Sequence, residues 1–139
     1  MKSPLNIKLD KIAHMPTKSH VSDAGYDLYA PYPVTIPALS MTRIDTGVHI
    51  YIPRGMSGHI EPRSSMLAKQ IITFGRIDAE FTGSIQIFLF NLSETPYIVH
   101  TDDRIAQLVI HAIPDTELVP TDVLPDSERG SAGIGSTGR

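Results

Sequence analysis

The chain has 139 residues and a mass of 15.2 kDa, enough for one domain with a real core and too little for two ordinary ones. Its net charge of -3 and six scattered histidines leave no basic footprint for a nucleic-acid backbone or an anionic membrane, so neither partner is expected. The absence of cysteine excludes disulfide frameworks, thiolate zinc sites and cysteine nucleophiles.

The opening MKSPLNIKLD is interrupted by Pro4 and Asp10, which rules out an apolar core of signal-peptide length, and no later run approaches a membrane span. An intracellular, soluble protein of cytoplasm or nucleus is expected. Eleven prolines and ten glycines punctuate the chain, and the pieces between them alternate with period two, which predicts short strands. LNIKL places Leu5, Ile7 and Leu9 on one face. AGYDLYAP reads as a strand carrying an outward Asp27. RIDTGVHIYI, taken as one piece, places Ile44, Val48, Ile50 and Ile52 on one parity. SSMLAK predicts the one short helix, with Ser64 as N-cap. FGRIDAEFTG reads as a hairpin between Gly75 and Gly83. SIQIFLFN sets Ile85, Ile87 and Leu89 opposite Phe88 and Phe90, a strand expected to be buried on both sides. RIAQLVIHAI is compatible with a helix, but its β-branched content and Pro114 favour a strand. From Pro114 onward the chain turns polar and then Gly/Ser-rich, so it cannot make a core of its own. The expected architecture is an all-β barrel or sandwich, with no internal repeat.

The ending RGSAGIGSTGR contains both Gly-x-Gly-x-x-Gly and Gly-x-x-x-x-Gly-Ser-Thr. A dinucleotide fingerprint needs a following helix, and a Walker A loop needs a lysine where Ser136 stands; neither requirement is met. Two readings remain: an anion nest of glycine N–H groups with Ser136, Thr137 and Arg129, or a disordered tail. In EPRSSM, Arg63, Ser64 and Ser65 at a helix start can hold an oxyanion or serve as a plain cap. Asp27, flanked by aromatic and apolar residues, is a carboxylate able to organise hydrated Mg²⁺, or simply an outward strand residue.

Taken in order, AGYDL (24–28), PRSSM (62–66), GRIDAEFTG (75–83), DDRIAQL (102–108) and RGSAGIGSTG (129–138) closely resemble the five motifs of the homotrimeric dUTP pyrophosphatases, the dUTPases. The resemblance spans nearly the whole chain. It implies a jelly-roll-like β-barrel domain over residues 1–125 and a flexible phosphate-binding arm over residues 126–139 that is exchanged between subunits of a homotrimer with shared active sites. It also implies hydrolysis of dUTP to dUMP and pyrophosphate by water attack on the α-phosphorus with Mg²⁺ as cofactor, supplying dUMP and keeping uracil out of DNA.

Carried over by position, the resemblance makes Asp78 the general base toward water and Gln107 its neighbour beside the phosphates. It makes Arg63, Ser64, Ser65, Arg129, Gly135, Ser136 and Thr137 phosphate-binding, and Asp27 a partner of Mg²⁺ through water. Gly75, Arg76, Ile77, Asp78, Phe81, Gln86 and Ile134 become the nucleoside-facing set, with Phe81 pressed beneath the sugar to exclude a ribose hydroxyl. Three positions depart from the family pattern: Phe81 replaces the usual tyrosine, Ile134 replaces a phenylalanine that stacks on uracil, and Asp102 stands where glycine is common. The stretch from Lys69 to Ile77, where a hairpin should read the base, is also slightly short. Two other functions compete. A dCTP deaminase would need a glutamate where Phe88 stands, and a regulatory protein of the same fold, with an unknown protein partner and weak hydrolysis, would tolerate Ile134.

Overall fold

The computed structural model describes residues 2–138. In chain order the strands are β1 (Asn6–Leu9), β2 (Gly25–Tyr29), β3 (Val34–Ile36), β4 (Ser40–Asp45), β5 (Val48–Tyr51) and β6 (Met56–Glu61). One helical turn, α1 (Ser64–Leu67), precedes β7 (Ile71–Ile72), β8 (Gly75–Ile77), β9 (Gln86–Asn91), β10 (Tyr97–Val99) and β11 (Arg104–Ala112). The strands pair antiparallel into sheets ordered β2-β11-β6-β8, β4-β9-β7, β1-β5 and β10-β3, a jelly-roll-like all-β barrel. No helix among the described residues is long and apolar enough to cross a membrane.

The period-two pattern explains what the barrel buries. Ile44, Val48, Ile50 and Ile52 enter the core, as do Ile85 just before β9, Ile87 and Leu89 within it, and Leu28, Ile60 and Leu108 from the four-stranded sheet. RIDTGVHIYI is nevertheless two strands in two sheets. The chain turns at Thr46 and Gly47, where Asp45 Oδ1 accepts the Gly47 N–H at 2.9 Å and the buried Thr46 hydroxyl donates to the Ile85 carbonyl at 2.7 Å. The apolar parity survives the turn, so alternation alone does not reveal it.

Two further local expectations are corrected. Strand β9 is buried on one face only, because Phe88 is 37% exposed and Phe90 half-buried. Ser64 is the first helical residue of α1, whose N-cap is Arg63 in extended conformation without a side-chain cap bond. The helix end is fixed instead by what Arg63 itself binds.

Beyond Ile113 the described chain forms no strand and is exposed throughout to Gly138. Leu118, Val119, Val123 and Leu124 stand 70 to 95% open. Arg139, last residue of the predicted arm, lies outside the described residues.

Candidate active site

Strand register gathers the first group of site residues. On β11, Gln107 lies opposite Asp27 of β2 on one side and Glu61 of β6 on the other. Alternation turns Leu28 into the core and leaves Asp27 on the outer face. Gly25 leaves room for the Gln107 amide in this position: a Cβ there would stand 2.7 Å from Gln107 Oε1. The Gln107 amide donates to the Pro62 carbonyl at 3.1 Å, which fixes the chain just before Arg63. The Arg63 guanidinium in turn donates to Asp27 Oδ1 at 3.0 Å, to the Arg104 carbonyl at 3.3 Å and to Ser65 Oγ at 3.4 Å.

Arg104 approaches the second Asp27 oxygen at 3.5 Å, and the Asp27 side chain is only 15% exposed. Two guanidinium groups thus share one carboxylate and leave a net positive charge facing outward. Within α1 the first N–H groups bonded inside the turn belong to Met66 and Leu67, so those of Ser64 and Ser65 have no intrahelical partner. Both serines are exposed. The group can receive an anion with hydroxyls, two N–H groups and an arginine.

The second group lines a cavity of about 320 Å³, whose walls include Gly75, Arg76, Ile77, Asp78, Phe81 and Gln86, together with Ile60, Phe74, Ser84 and Phe88. Strand β8 holds the first three by pairing with β6. The chain then turns back, with the Glu80 N–H donating to the Ile52 carbonyl at 2.8 Å and the Phe81 N–H to the Asp78 carbonyl at 3.3 Å. The Phe81 ring lies over Gly83, where a Cβ would come within 2.4 Å of it. His49 pins the return of the hairpin through Thr82 O at 2.8 Å and the Asp10 carboxylate at 3.2 Å. That carbonyl, followed by the carboxylate, raises the His49 pKa. At the far wall the Ser84 hydroxyl donates to Asp45, and this bond is the main cause that lowers the Asp45 pKa.

The third group stays apart. Arg129 Nε donates to Ala132 O at 2.9 Å, and the backbone bonds from Gly130 to Gly138 are all local turns. Ile134 is fully exposed. Among the described residues no hydrogen bond or ion pair joins Arg129, Gly135, Ser136 or Thr137 to the other groups, and none joins the Asp27 row to the residue 75–83 hairpin.

Sequence reasoning passed over Arg104, although it stands inside DDRIAQL, and over Phe74, Ser84 and Ile60. It also left Asp102 unexplained. That residue has φ 65°, the left-handed region where glycine is favoured and aspartate is among the better tolerated alternatives. Its N–H donates to Ala30 O at 2.8 Å, and its carboxylate meets His14 Nδ1 at 3.1 Å.

This combination is that of a nucleotide hydrolase built on a β-barrel. The dUTPase family model matches residues 11–138, and the chain belongs to that family. A deoxyuridine 5'-triphosphate nucleotidohydrolase of Saccharomyces cerevisiae is 39% identical over 129 residues, covering 91% of this chain and 88% of that protein. Among solved structures, the Staphylococcus bacteriophage 80alpha dUTPase with dUPNHPP superposes with a TM-score of 0.93 at 30% identity, covering 99% of this chain and 100% of that one. A mutant dUTPase of phage phi11 of S. aureus, described with a structural Mg(II) ion, has a TM-score of 0.82 at 25% identity, covering 89% of this chain and 100% of that one.

Proposed function

We infer that the protein is a dUTP diphosphatase, hydrolysing dUTP to dUMP and pyrophosphate. The observation that carries this reading, beside family membership, is one cavity lined by six of the seven nucleoside-facing residues, with Phe81 held over Gly83. A ring fixed there presses against C2′ of a deoxyribose and leaves no space for a ribose hydroxyl. Asp78, on the same cavity wall, accepts the proton of the attacking water. The water oxygen bonds to the α-phosphorus as the bond from that phosphorus to the bridging oxygen breaks, and pyrophosphate departs.

Arg63, Ser64 and Ser65 hold the phosphate chain with charge-assisted bonds that strengthen as charge develops on the leaving group. Gln107, held by its bond to the Pro62 carbonyl, orients the water and an adjacent phosphate oxygen. Asp27 would reach Mg²⁺ only through water, because both carboxylate oxygens already face guanidinium groups and Mg²⁺ keeps several of its waters while bound by carboxylate and phosphates. When bound it supplies charge neutralisation along the triphosphate.

The arm closes the site. Arg129, Gly135, Ser136 and Thr137 take the terminal phosphate, and Ile134 covers the base. The family resemblance assigns the arm to a neighbour's site in a homotrimer, and among the described residues the arm bonds to neither group of its own chain. Two features support exchange. The apolar side chains of residues 118–124 are uncovered, with Asp115, Glu117 and Asp122 between and before them. The barrel also carries a separate concavity of about 820 Å³ lined by Leu5, Ile7, Met15 and Ile50, with Lys2 and Lys18 around it, which suits such a segment from another copy.

A deaminase reading is disfavoured because Phe88, in the cavity wall, cannot shuttle protons. A regulatory role beside hydrolysis draws on Ile134, which cannot stack on a base. Pyrophosphate release measured with dUTP, dCTP, dTTP and UTP, with and without Mg²⁺, tests the assignment. Selective, Mg²⁺-dependent release from dUTP is expected, and equal turnover of dCTP or UTP would overturn it.

A further inference from the structure

Farther along the outer face of the four-stranded sheet, three side chains outside the nucleotide groups converge. His59 and Glu61 alternate on β6 and therefore share a face, and His111 stands on the neighbouring β11 opposite Ser57. The two imidazoles stack with centroids 4.0 Å apart and planes 26° from parallel. His111 Nε2 lies 3.8 Å from a Glu61 carboxylate oxygen, and one donor atom from each of the three residues falls within 4.8 Å of the others.

Two imidazoles and a carboxylate are a donor set used for Zn²⁺, and the nitrogens weigh against Mg²⁺, which prefers oxygen. The hydroxyl of buried Ser57 meets His59 Nε2 at 2.9 Å, an outer contact of the kind that orients metal-binding imidazoles. Glu61 and His111 are 44% and 45% exposed, so the cluster can be loaded from solvent.

We propose that His59, Glu61 and His111 form a site for a zinc-class divalent cation, with a fourth position open to water or an anion, that ties β6 to β11. Glu61 faces Gln107 in register and precedes Arg63 by two residues. The cation therefore braces the two strands that carry the phosphate-binding row, and it is separate from the Mg²⁺ that accompanies nucleotide.

The test titrates metal-stripped, tag-free, full-length protein with ZnCl₂ by calorimetry, in parallel with MgCl₂, and records the visible spectrum of the CoCl₂-loaded protein. One Zn²⁺ per chain, a rise in Tm with zinc, no displacement by excess Mg²⁺ and tetrahedral cobalt absorption are expected. H111A and E61Q should each weaken zinc by more than the roughly 10- to 100-fold that loss of an outer-shell partner costs. Metal-free Tm of H111A should stay near that of the parent, since His111 is exposed. H20A, which breaks the exposed His20–Asp23 pair, should leave zinc binding unchanged. Absence of stoichiometric zinc binding, parent-like affinity in both H111A and E61Q, or loss of binding in H20A would each overturn the site.

Discussion

The hairpin of residues 75–83 and the terminal segment of residues 129–138 both carry glycines and a single arginine, yet they are held in opposite ways. The hairpin is strapped to the barrel by the β6–β8 pairing, by the Glu80 bond to Ile52 and by His49 on Thr82. Among the described residues, the terminal segment bonds only to itself and to the Ser127 just before it. Glycine accordingly does different work in each. Gly83 removes a Cβ that would strike the Phe81 ring, whereas Gly130, Gly135 and Gly138 adopt positive φ with open space around them. One region is preorganised, and the other, in the function proposed above, gains its order from what it binds. Damage to the hairpin should therefore reach both stability and function, and damage to the arm function alone.

The largest effect expected tests the preorganised side. Asp78→Asn keeps the shape of the cavity and cannot accept the proton, so kcat should fall by about 10² to 10⁴ with nucleotide binding retained. Parent-like turnover would remove Asp78 from its role. The arm is broken by truncation after Glu128, which deletes several charge-assisted bonds of about 1.5–3 kcal/mol each. A loss of at least about a hundredfold in kcat/KM is expected, with Tm unchanged. Truncated chains mixed with full-length Asp78→Asn chains should recover partial activity if arm and base come from different subunits. Mixed oligomers that exchange subunits and stay inactive would assign the arm to its own chain or to no site.

The same contrast explains what could be read in advance. The core parity of β5 and β9 was visible in Val48, Ile50, Ile87 and Leu89 because burial imposes alternation directly. The break at Thr46–Gly47 was not, since both halves keep the same parity while entering different sheets. Short β3, β7 and β10 exist through partners far along the chain, a dependence no local window records. At the site, the motif strings named Asp27, Arg63 and Gln107. That Arg104 shares the Asp27 carboxylate, and that Gly25 makes room for Gln107, follows only from strand register. The arm has no register, so its sequence suggests a chemistry and fixes no position.

Smaller changes sharpen the comparison within each region. Phe81→Ala should relax discrimination of dUTP against UTP by up to about a hundredfold, the order of selectivity an apolar pocket achieves against an added hydroxyl. Retained selectivity in competition assays would show that the ring is not the filter. Gly83→Ala should shift the ring and produce a weaker version of the same change, with some loss of Tm. On the arm, Ile134→Phe should lower KM for dUTP roughly two- to tenfold, since an aromatic stack adds about 0.5–1.5 kcal/mol, and should leave Tm alone. An unchanged KM would mean that residue 134 does not cover the base.

The smallest effect probes how firmly the hairpin belongs to the barrel. His49 joins Thr82 O and Asp10, and these partners raise its pKa above the ordinary value of 6.5. The protonated ring is the form they stabilise. Its contribution to folding is complete below the unfolded-state pKa and is lost as pH rises through the higher folded-state value. Thermal or urea unfolding should therefore show a parent protein that loses part of its stability from about pH 6.5 upward. His49→Gln keeps a polar side chain without the titration, so it should lack that part of the slope. The gap between the two proteins should be widest below that range, amount to no more than about 1 kcal/mol as for a partly exposed pair, and shrink as pH rises. No measurable effect is expected for the same comparison in residues 129–138, where no titratable group is tied to the barrel. A gap that widens with rising pH would mean that the neutral ring is the one holding Thr82, and that the hairpin is pinned by an uncharged hydrogen bond.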